Sequence, residues 1–243
     1  MNEIADRLAA VRQAIATAAA RGGRRAEEIE LVAVSKTHPP ETLLAALAAG
    51  QSVFGENRVQ EARAKIPLLP GRVRWHLIGP LQKNKIRHAL AAGFDLFHSI
   101  DTLELAREFD RIAAETGQFP RVLLEVNVAG EASKFGFSSD KLCAEMEELL
   151  KLGRLHIEGL MTIPPFAPEA EKSRPFFLAL RALRDRLQTE FRVPLPRLSM
   201  GMSGDFAVAV EEGATLVRVG TAIFGTRRGK AWKPQGNSVS LDD

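Results

Sequence analysis

Short apolar runs alternate with amphipathic helical patterns along almost the whole chain. The apolar or β-branched runs, each predicted to form a strand, are residues 30–35, 52–55, 73–78, 96–100, 121–128, 157–163, 197–200 and 215–219. The helical patterns between them are residues 41–49, 59–66, 83–92, 102–116, 139–150, 169–191 and 204–212. A further helix is predicted before the first run, where Ile4, Leu8, Val11 and Ile15 recur at helical spacing until Gly22 and Gly23.

The strict alternation of strand and helix determines the predicted fold class. It indicates parallel strands that are joined by crossover helices. Eight such units favour a single closed (β/α)8 TIM barrel, an α/β fold, with an extra N-terminal helix. An open doubly wound sheet is the alternative, and the absence of a G-x-G-x-x-G motif after the first predicted strand disfavours it. We expect residues 1–228 to form one barrel domain and residues 229–243 to form a basic, flexible C-terminal tail.

Composition narrows the class of protein. The formal net charge is only +3, from 33 cations against 30 anions, so no nucleic-acid partner is expected. The single cysteine, Cys143, excludes an internal disulfide and suits the cytoplasm. Glu3 and Asp6 stand where a secretory signal carries cations, and no apolar stretch approaches the roughly 18 residues of a membrane span. A cytoplasmic protein without membrane attachment is predicted, and no metal site is expected.

Lys36 is the first candidate for chemistry. It ends the first predicted strand, and the following Thr37-His38-Pro39-Pro40 cannot continue that strand. Because the carboxyl ends of barrel strands gather at one face, residues that end other strands become its neighbours. Those residues supply an amide, an imidazole, hydroxyl groups and a guanidinium: Asn57, His76, residues 199–203 and residues 218–221. The apolar strand is expected to bury the Lys36 amine in part, which favours its neutral, nucleophilic form.

A phosphate site is predicted opposite this lysine. Gly220 allows close backbone approach, and the N–H groups of Gly220 and Thr221 open a short final helix. Ser203 and Gly204 offer a second helix start, in the loop region where barrels often bind phosphate. A phosphate anchor beside a lysine indicates pyridoxal phosphate, whose aldehyde forms a Schiff base with an amine. An aldolase that uses Lys36 on a sugar phosphate is the alternative that these residues leave open.

Six segments carry a resemblance to a known family. They are residues 33–37 (AVSKT), 54–61 (FGENRVQE), 75–85 (WHLIGPLQKNK), 159–161 (GLM), 198–203 (LSMGMS) and 217–225 (VRVGTAIFG). In this order they resemble the motifs of the YggS/PROSC family of pyridoxal phosphate homeostasis proteins, from the N-terminal helix to about Arg228. The resemblance implies a fold-type III barrel like the N-terminal domain of alanine racemase, with pyridoxal phosphate on Lys36. It also implies that Arg218 faces the pyridine nitrogen. The cofactor-binding set that follows is Lys36, Asn57, His76, Met200, Ser203, Arg218, Gly220 and Thr221.

Two features favour a carrier over an enzyme. Arg218 stays protonated and only donates hydrogen bonds, so a pyridine nitrogen facing it remains unprotonated and the ring is a weaker electron sink. Alanine racemases take a second acid/base, a tyrosine, from a separate C-terminal β domain, but this chain has no tyrosine and is expected to be too short for that domain. His76 or a water is the remaining candidate for that role. We therefore expect storage and delivery of the cofactor with little or no catalysis; an amino-acid racemase is the alternative. Apoenzymes are the expected partners, and a monomer is the expected state.

Overall fold

The eight predicted strands form one closed parallel barrel in the order β1 to β8. The computed structural model describes residues 3–131, residues 134–226 and Trp232. The strands are Glu30–Val34 (β1), Val53–Glu56 (β2), Arg74–Leu77 (β3), Leu96–Ile100 (β4), Arg121–Glu125 (β5), His156–Met161 (β6), Arg197–Ser199 (β7) and Leu216–Val219 (β8). The prediction of a closed barrel over an open sheet is thereby confirmed. The predicted tail, residues 229–243, lies outside the described residues except for Trp232.

The helices follow the predicted order with small shifts at their ends. They are Glu3–Arg21 (α1), Pro40–Ala48 (α2), Val59–Lys65 (α3), Ile86–Ala91 (α4), Leu103–Thr116 (α5), Ser139–Leu150 (α6), Arg174–Phe191 (α7), Phe206–Glu211 (α8) and Thr221–Phe224 (α9). Two predicted helices begin with a separate 3-10 turn, at Lys83–Lys85 and at Ala170–Ser173. The helix predicted over residues 204–212 begins only at Phe206, because Asp205 precedes it as the N-cap residue. None of the described helices is long and apolar enough to cross a bilayer.

Alternate residues of each strand point to opposite sides of the barrel wall. One set fills the barrel interior with an apolar cluster of Val32, Val34, Val53, Ile78, Leu96, Leu123, Met161 and Leu216. The other set joins a much larger core between the barrel and its helices, in which Leu31, Ala33 and Phe54 lie. Gly55, His76, Ser199 and Arg218 are aligned in register with members of the interior set. The interior of this barrel is therefore partly polar.

Charged side chains close the amino-terminal end of the barrel. Ion pairs of alternating sign run around it: Glu30 to Arg74, Arg74 to Asp95, Asp95 to Arg121, Arg121 to Glu158, Glu158 to Arg197 and Arg197 back to Glu30. Each of these residues lies in a strand or directly before one, so the ring of charges links most of the strands at this end. The opposite, carboxyl-terminal end is where the strand-end loops gather, and there the candidate site lies.

Candidate functional site at the barrel mouth

A cavity of about 290 Å³ opens at the carboxyl-terminal end of the barrel. Its size is close to the lower end of the range for small-molecule sites, roughly 300–1,000 Å³. Its lining residues come from the ends of β1 and β8, from the loops after β6 and β7, and from the start of α9. They are Val34, Lys36, Pro165, Phe166, Ala167, Met202, Ser203, Gly204, Asp205, Arg218, Gly220 and Thr221.

Five residues of the predicted cofactor-binding set meet in this cavity. They are Lys36, Ser203, Arg218, Gly220 and Thr221. Residues that are separated by almost the length of the chain thus surround one space, because β1 pairs with β8 to close the barrel. The cavity combines a primary amine, a hydroxyl group with backbone donors, and a guanidinium.

The other three members of the predicted set lie elsewhere. Asn57 lines a neighbouring, larger cavity of about 760 Å³. His76 is fully buried inside the barrel below the mouth, where it contacts His98. Met200 is fully buried in the core between barrel and helices, because it has the opposite strand parity to Ser199 and Gly201. The structure does not bring these three side chains to the cavity that contains Lys36.

Lys36 is exposed in the turn after β1. The expectation that the apolar strand buries this amine is wrong, because β1 ends at Val34 and Ser35 is the last buried residue before the turn. Thr37 next to it has a φ of +68°, in the left-handed region that a β-branched residue rarely adopts. The chain therefore turns sharply at Lys36 and leaves the amine at the edge of the cavity.

Backbone donors converge on the Ser203 hydroxyl group. The N–H groups of Gly220 and Ala222 donate to Ser203 Oγ at 3.2 and 3.4 Å. Gly220 is the N-cap residue of α9, as predicted, although Ala222 rather than Thr221 supplies the second donor. A Cβ atom at Gly220 would approach Val34 Cβ to 3.3 Å, so only glycine leaves this turn uncrowded. Since Ser203 Oγ accepts both N–H groups, its own proton is free to be donated to an oxyanion.

The Arg218 guanidinium donates hydrogen bonds to two neutral acceptors. Its Nη1 donates to Ser199 Oγ at 2.5 Å and its Nη2 donates to the Thr162 carbonyl oxygen at 2.9 Å. Burial lowers the pKa of Arg218 to about 10, and the carboxylates of Glu125 and Asp205 oppose that shift. The guanidinium is therefore still protonated at neutral pH. It presents a fixed donor, and no acceptor, to whatever occupies the cavity.

Two buried histidines continue the contacts of Arg218 through the barrel interior. His98 Nδ1 lies 2.9 Å from Ser199 Oγ, and His98 Nε2 lies 3.0 Å from His76 Nδ1. Burial lowers the pKa of both imidazoles, so both are neutral. Ser199 Oγ accepts a hydrogen bond from Arg218, so the Ser199 hydroxyl can donate its own proton to His98 Nδ1. In that arrangement His98 carries its ring proton on Nε2, the nitrogen that faces His76. His76 thus supports Arg218 through His98 and Ser199, at a distance from the cavity.

Sequence reasoning missed part of the cavity wall. Pro165, Phe166 and Ala167 line it from the loop after β6, and the Phe166 side chain is 95% exposed. The signal was the Pro-Pro-Phe segment directly after the sixth predicted strand, since a loop at that position reaches the barrel mouth. Asp205 also lines the cavity, and its carboxylate accepts the Met202 N–H at 2.7 Å.

Glu125, which interacts electrostatically with Arg218, leads to a pH-dependent prediction. Burial, and next Asp101, raise the pKa of this 9%-exposed carboxyl from 4.5 to about 7, against the opposing effect of Arg218. The folded state therefore binds the proton more tightly than the unfolded state. The resulting stabilisation is lost as pH rises through about 7. We expect the wild type to lose up to about 3 kcal/mol of unfolding free energy relative to Glu125→Gln between roughly pH 5 and pH 8. Urea unfolding at both pH values measures this difference.

The exposed Glu27→Gln is the matched control for that measurement. It should parallel the wild type at both pH values, since Glu27 is solvated. Parallel stability curves for the wild type and Glu125→Gln would contradict the assignment of a raised pKa to Glu125.

The fold and the mouth cavity define a class of protein. Residues 7–228 match the family model described as the N-terminal domain of alanine racemase. A pyridoxal phosphate homeostasis protein of Aquifex aeolicus is 45% identical over 224 residues, which cover 92% of this chain and 98% of the relative. The protein of the same name from Escherichia coli K12 is 44% identical and covers 93% of this chain and 98% of the relative. This chain belongs to the family of pyridoxal phosphate homeostasis proteins.

A solved structure supports the comparison in three dimensions. PipY of Synechococcus elongatus PCC7942, solved with pyridoxal phosphate bound, is 42% identical to this chain. The two structures superpose with a TM-score of 0.80, over 91% of this chain and all of PipY. The resemblance identified from six sequence segments is therefore confirmed over nearly the whole chain.

Proposed function

We propose that this chain binds pyridoxal 5′-phosphate in the mouth cavity and serves in intracellular homeostasis of that cofactor, by storing it and delivering it to apoenzymes. The observation that carries the proposal is the meeting of Lys36, Arg218 and the Ser203 turn around one cavity. The family, and a relative whose structure contains the cofactor, support the same ligand. The single cysteine is consistent with a cytoplasmic setting.

The residues of the cavity fit the cofactor group by group. The Ser203 hydroxyl accepts the N–H groups of Gly220 and Ala222, so its own proton is left as an uncharged donor for a phosphate. Arg218 supplies a donor for the pyridine nitrogen, and Val34 and Pro165 supply apolar surface for the ring. Among the lining residues in the described part of the chain, Asp205 carries the one carboxylate, and its hydrogen bond with the Met202 N–H offsets part of its charge.

Lys36 is the residue that we assign to covalent attachment. Pyridoxal phosphate supplies an aldehyde that condenses reversibly with a primary amine. The unprotonated form of the Lys36 amine forms the bond from Nζ to the aldehyde carbon, and the carbonyl oxygen leaves as water with the two hydrogens of that amine. Because Lys36 is exposed at the cavity edge, the amine is accessible both for attachment and for release. Access of this kind suits a carrier that must give up its cargo.

The residues around the cavity give little support to the alternative, an amino-acid racemase. Proton exchange at a substrate carbon normally requires a second acid/base group opposite the lysine. The side chains that line the cavity in the described part of the chain include one further titratable acid, Asp205, whose carboxylate already accepts the Met202 N–H. His76, the candidate from the sequence, is buried in the barrel and contacts His98 instead.

Two assays on purified protein separate these possibilities. Addition of pyridoxal phosphate should produce a visible absorbance band that is characteristic of a lysine conjugate. When that complex is incubated with amino acids in deuterium oxide, the Cα proton should exchange no faster than it does in a mixture of free pyridoxal phosphate and lysine. Exchange at enzymatic rates would establish the racemase instead, and absence of the band would refute covalent attachment of the cofactor to a lysine.

A further inference from the structure

Lys65, the last residue of α3, is a lysine whose side chain is completely buried. Its Nζ donates to Glu56 Oε1 at 2.7 Å, to Glu61 Oε1 at 2.7 Å and to the Ser35 carbonyl oxygen at 2.9 Å. All three protons of the ammonium group therefore have acceptors. Full burial of a lysine is rare and costs free energy, and apolar replacements of buried ion pairs are often no less stable. Stability alone does not account for this residue.

The partners of Lys65 hold the backbone on both sides of Lys36. Before it, the Ser35 carbonyl accepts from Lys65, and Ser35 Oγ donates to Glu56 Oε1 at 2.7 Å. After it, the Thr37 N–H donates a short hydrogen bond to Glu61 Oε1. Lys65, Glu56 and Glu61, here called the Lys65 cluster, thus fix the two residues that flank Lys36.

The conformation that the cluster holds is an unfavourable one. Thr37 has a φ of +68°, in the left-handed region that is unfavourable for L-residues and above all for β-branched ones. Such a conformation persists only where surrounding contacts determine it. The hydrogen bond from Thr37 to Glu61 is one such contact, and Lys65 fixes the position of that carboxylate.

Trp232 covers the outer side of the Lys65 cluster. Its ring lies 5.2 Å from Lys65 Nζ, and its backbone N–H donates to the Thr37 carbonyl oxygen at 3.0 Å. The aromatic ring adds a favourable contact for the ammonium group and limits the access of water. The hydrogen bond adds a third anchor to the turn that carries Lys36.

Removal of the ammonium group would leave two neighbouring carboxylates without their shared partner. Burial raises the pKa of Glu56 to about 7 in spite of Lys65, and Glu61 contributes in the same direction. Without Lys65, these carboxylates would repel each other or take up protons, and Glu61 would lose the contact that orients it toward Thr37. The effect would reach Lys36 through the backbone, since Lys36 itself is exposed.

We propose that Lys65 is a positioning residue: it holds the turn of Ser35 and Thr37 so that the Lys36 amine stays at the cavity edge, in reach of the cofactor. This inference rests on the proposed function, because it concerns the attachment of pyridoxal phosphate to Lys36. Lys65 itself is bound to two carboxylates and is not the amine that attaches.

The test compares Lys65→Met with Arg197→Met. Both changes remove a cation that is paired with two carboxylates, but Arg197 lies in the ring of charges at the opposite end of the barrel. For each protein we would measure urea unfolding, the dissociation constant for pyridoxal phosphate, and the pH at which the visible band changes. Lys65→Met should weaken cofactor binding by roughly tenfold or more, which corresponds to about 1.4 kcal/mol, and should shift the pH profile of the band. Arg197→Met should lose stability without either change.

The outcomes are distinguishable from a failure of the proposed function. If the wild type forms no visible band, covalent attachment is refuted, and if it also shows no saturable binding of pyridoxal phosphate, cofactor binding itself is refuted. If the wild type forms it and Lys65→Met binds with the same affinity and pH profile, the positioning role is overturned. Should Lys65→Met not fold, Glu61→Gln decides instead: a reduced affinity and a shifted profile support the role, and wild-type values overturn it. Covalent label found on Lys65 rather than on Lys36 would also overturn it.

Discussion

Lys36→Ala should lose the visible absorbance band of the cofactor complex completely. The cavity would keep the Ser203 turn and Arg218, so pyridoxal phosphate would still bind, but only through noncovalent contacts. We expect its dissociation constant to rise about 100-fold, which corresponds to roughly 2.7 kcal/mol. Because Lys36 is exposed, the unfolding free energy should stay within about 0.5 kcal/mol of the wild type. Absorbance spectra follow the band, equilibrium dialysis against pyridoxal phosphate gives the dissociation constant, and urea unfolding of the same preparation gives the stability.

Lys85→Ala is the matched control for this change. Lys85 lines the neighbouring cavity with Asn57, so its removal deletes a cation near the barrel mouth without touching the proposed attachment site. This control should keep the visible band and bind the cofactor as the wild type does. A band that survives in Lys36→Ala, or one that disappears in Lys85→Ala, would contradict the assignment of Lys36.

Gly159→Ala should have the largest effect on folding. Gly159 lies in β6 opposite Arg197 of β7, and a Cβ atom there would stand 1.8 Å from the Arg197 carbonyl oxygen. No side-chain rotation relieves this clash, because the backbone fixes the position of the Cβ atom and the carbonyl oxygen is itself part of the backbone. The two strands must therefore separate. We expect a loss of roughly 3 kcal/mol or more, at the upper end of what overpacking costs.

The separation of β6 and β7 would also reach the cofactor site. Thr162 follows β6 and Ser199 ends β7, and both accept hydrogen bonds from Arg218. Any Gly159→Ala protein that folds should therefore bind pyridoxal phosphate more weakly. Gly153→Ala is the control, since a Cβ atom there meets nothing within 4 Å. Thermal or urea unfolding should show Gly153→Ala close to the wild type; equal stability of the two variants would show that the strand pairing tolerates the methyl group.

Much of the fold could be predicted from the sequence, for a physical reason. Parallel barrel strands are buried on both faces, so each appears as a short apolar run, and the helices between them keep a helical pattern. Thr102 illustrates the local signals, because its hydroxyl accepts the Leu105 N–H at the start of α5, as is typical of a threonine at the N-cap position. Less was predictable where a strand ends, because β5 stops at Glu125 although apolar residues continue to Val128.

The site was predictable where residues lie at strand ends, and unpredictable where side-chain direction decides. Lys36 and Arg218 follow the interior parity of their strands, and the sequence places both at the mouth. Met200 directly follows the interior residue Ser199, but its side chain points into the core between the barrel and the helices. The sequence motif does not show which of two adjacent residues faces the interior. Only the Glu61–Lys65 pair of the Lys65 cluster lies at helical i,i+4 spacing in the sequence. The contacts with Glu56 and Ser35 escaped prediction because they arise from the packing of β2, α3 and the turn after β1.

The relation between Arg218 and its neighbours bears on catalysis. The guanidinium contacts a serine hydroxyl and a carbonyl oxygen, and behind the serine lie two neutral histidines. Among these neutral groups Arg218 remains a hydrogen-bond donor at neutral pH, so a pyridine nitrogen that faces it would stay unprotonated. A cofactor held in this way is poorly suited to stabilise negative charge, which agrees with a role in storage and delivery.

Borohydride reduction of the pyridoxal phosphate complex, followed by peptide mass mapping, tests the central claim most directly. Reduction makes the bond between lysine and cofactor permanent, so the labelled peptide identifies the attached amine. We expect one equivalent of label on the peptide that contains Lys36. Label on another lysine, or no label on protein that has been saturated with the cofactor, would contradict the proposed site.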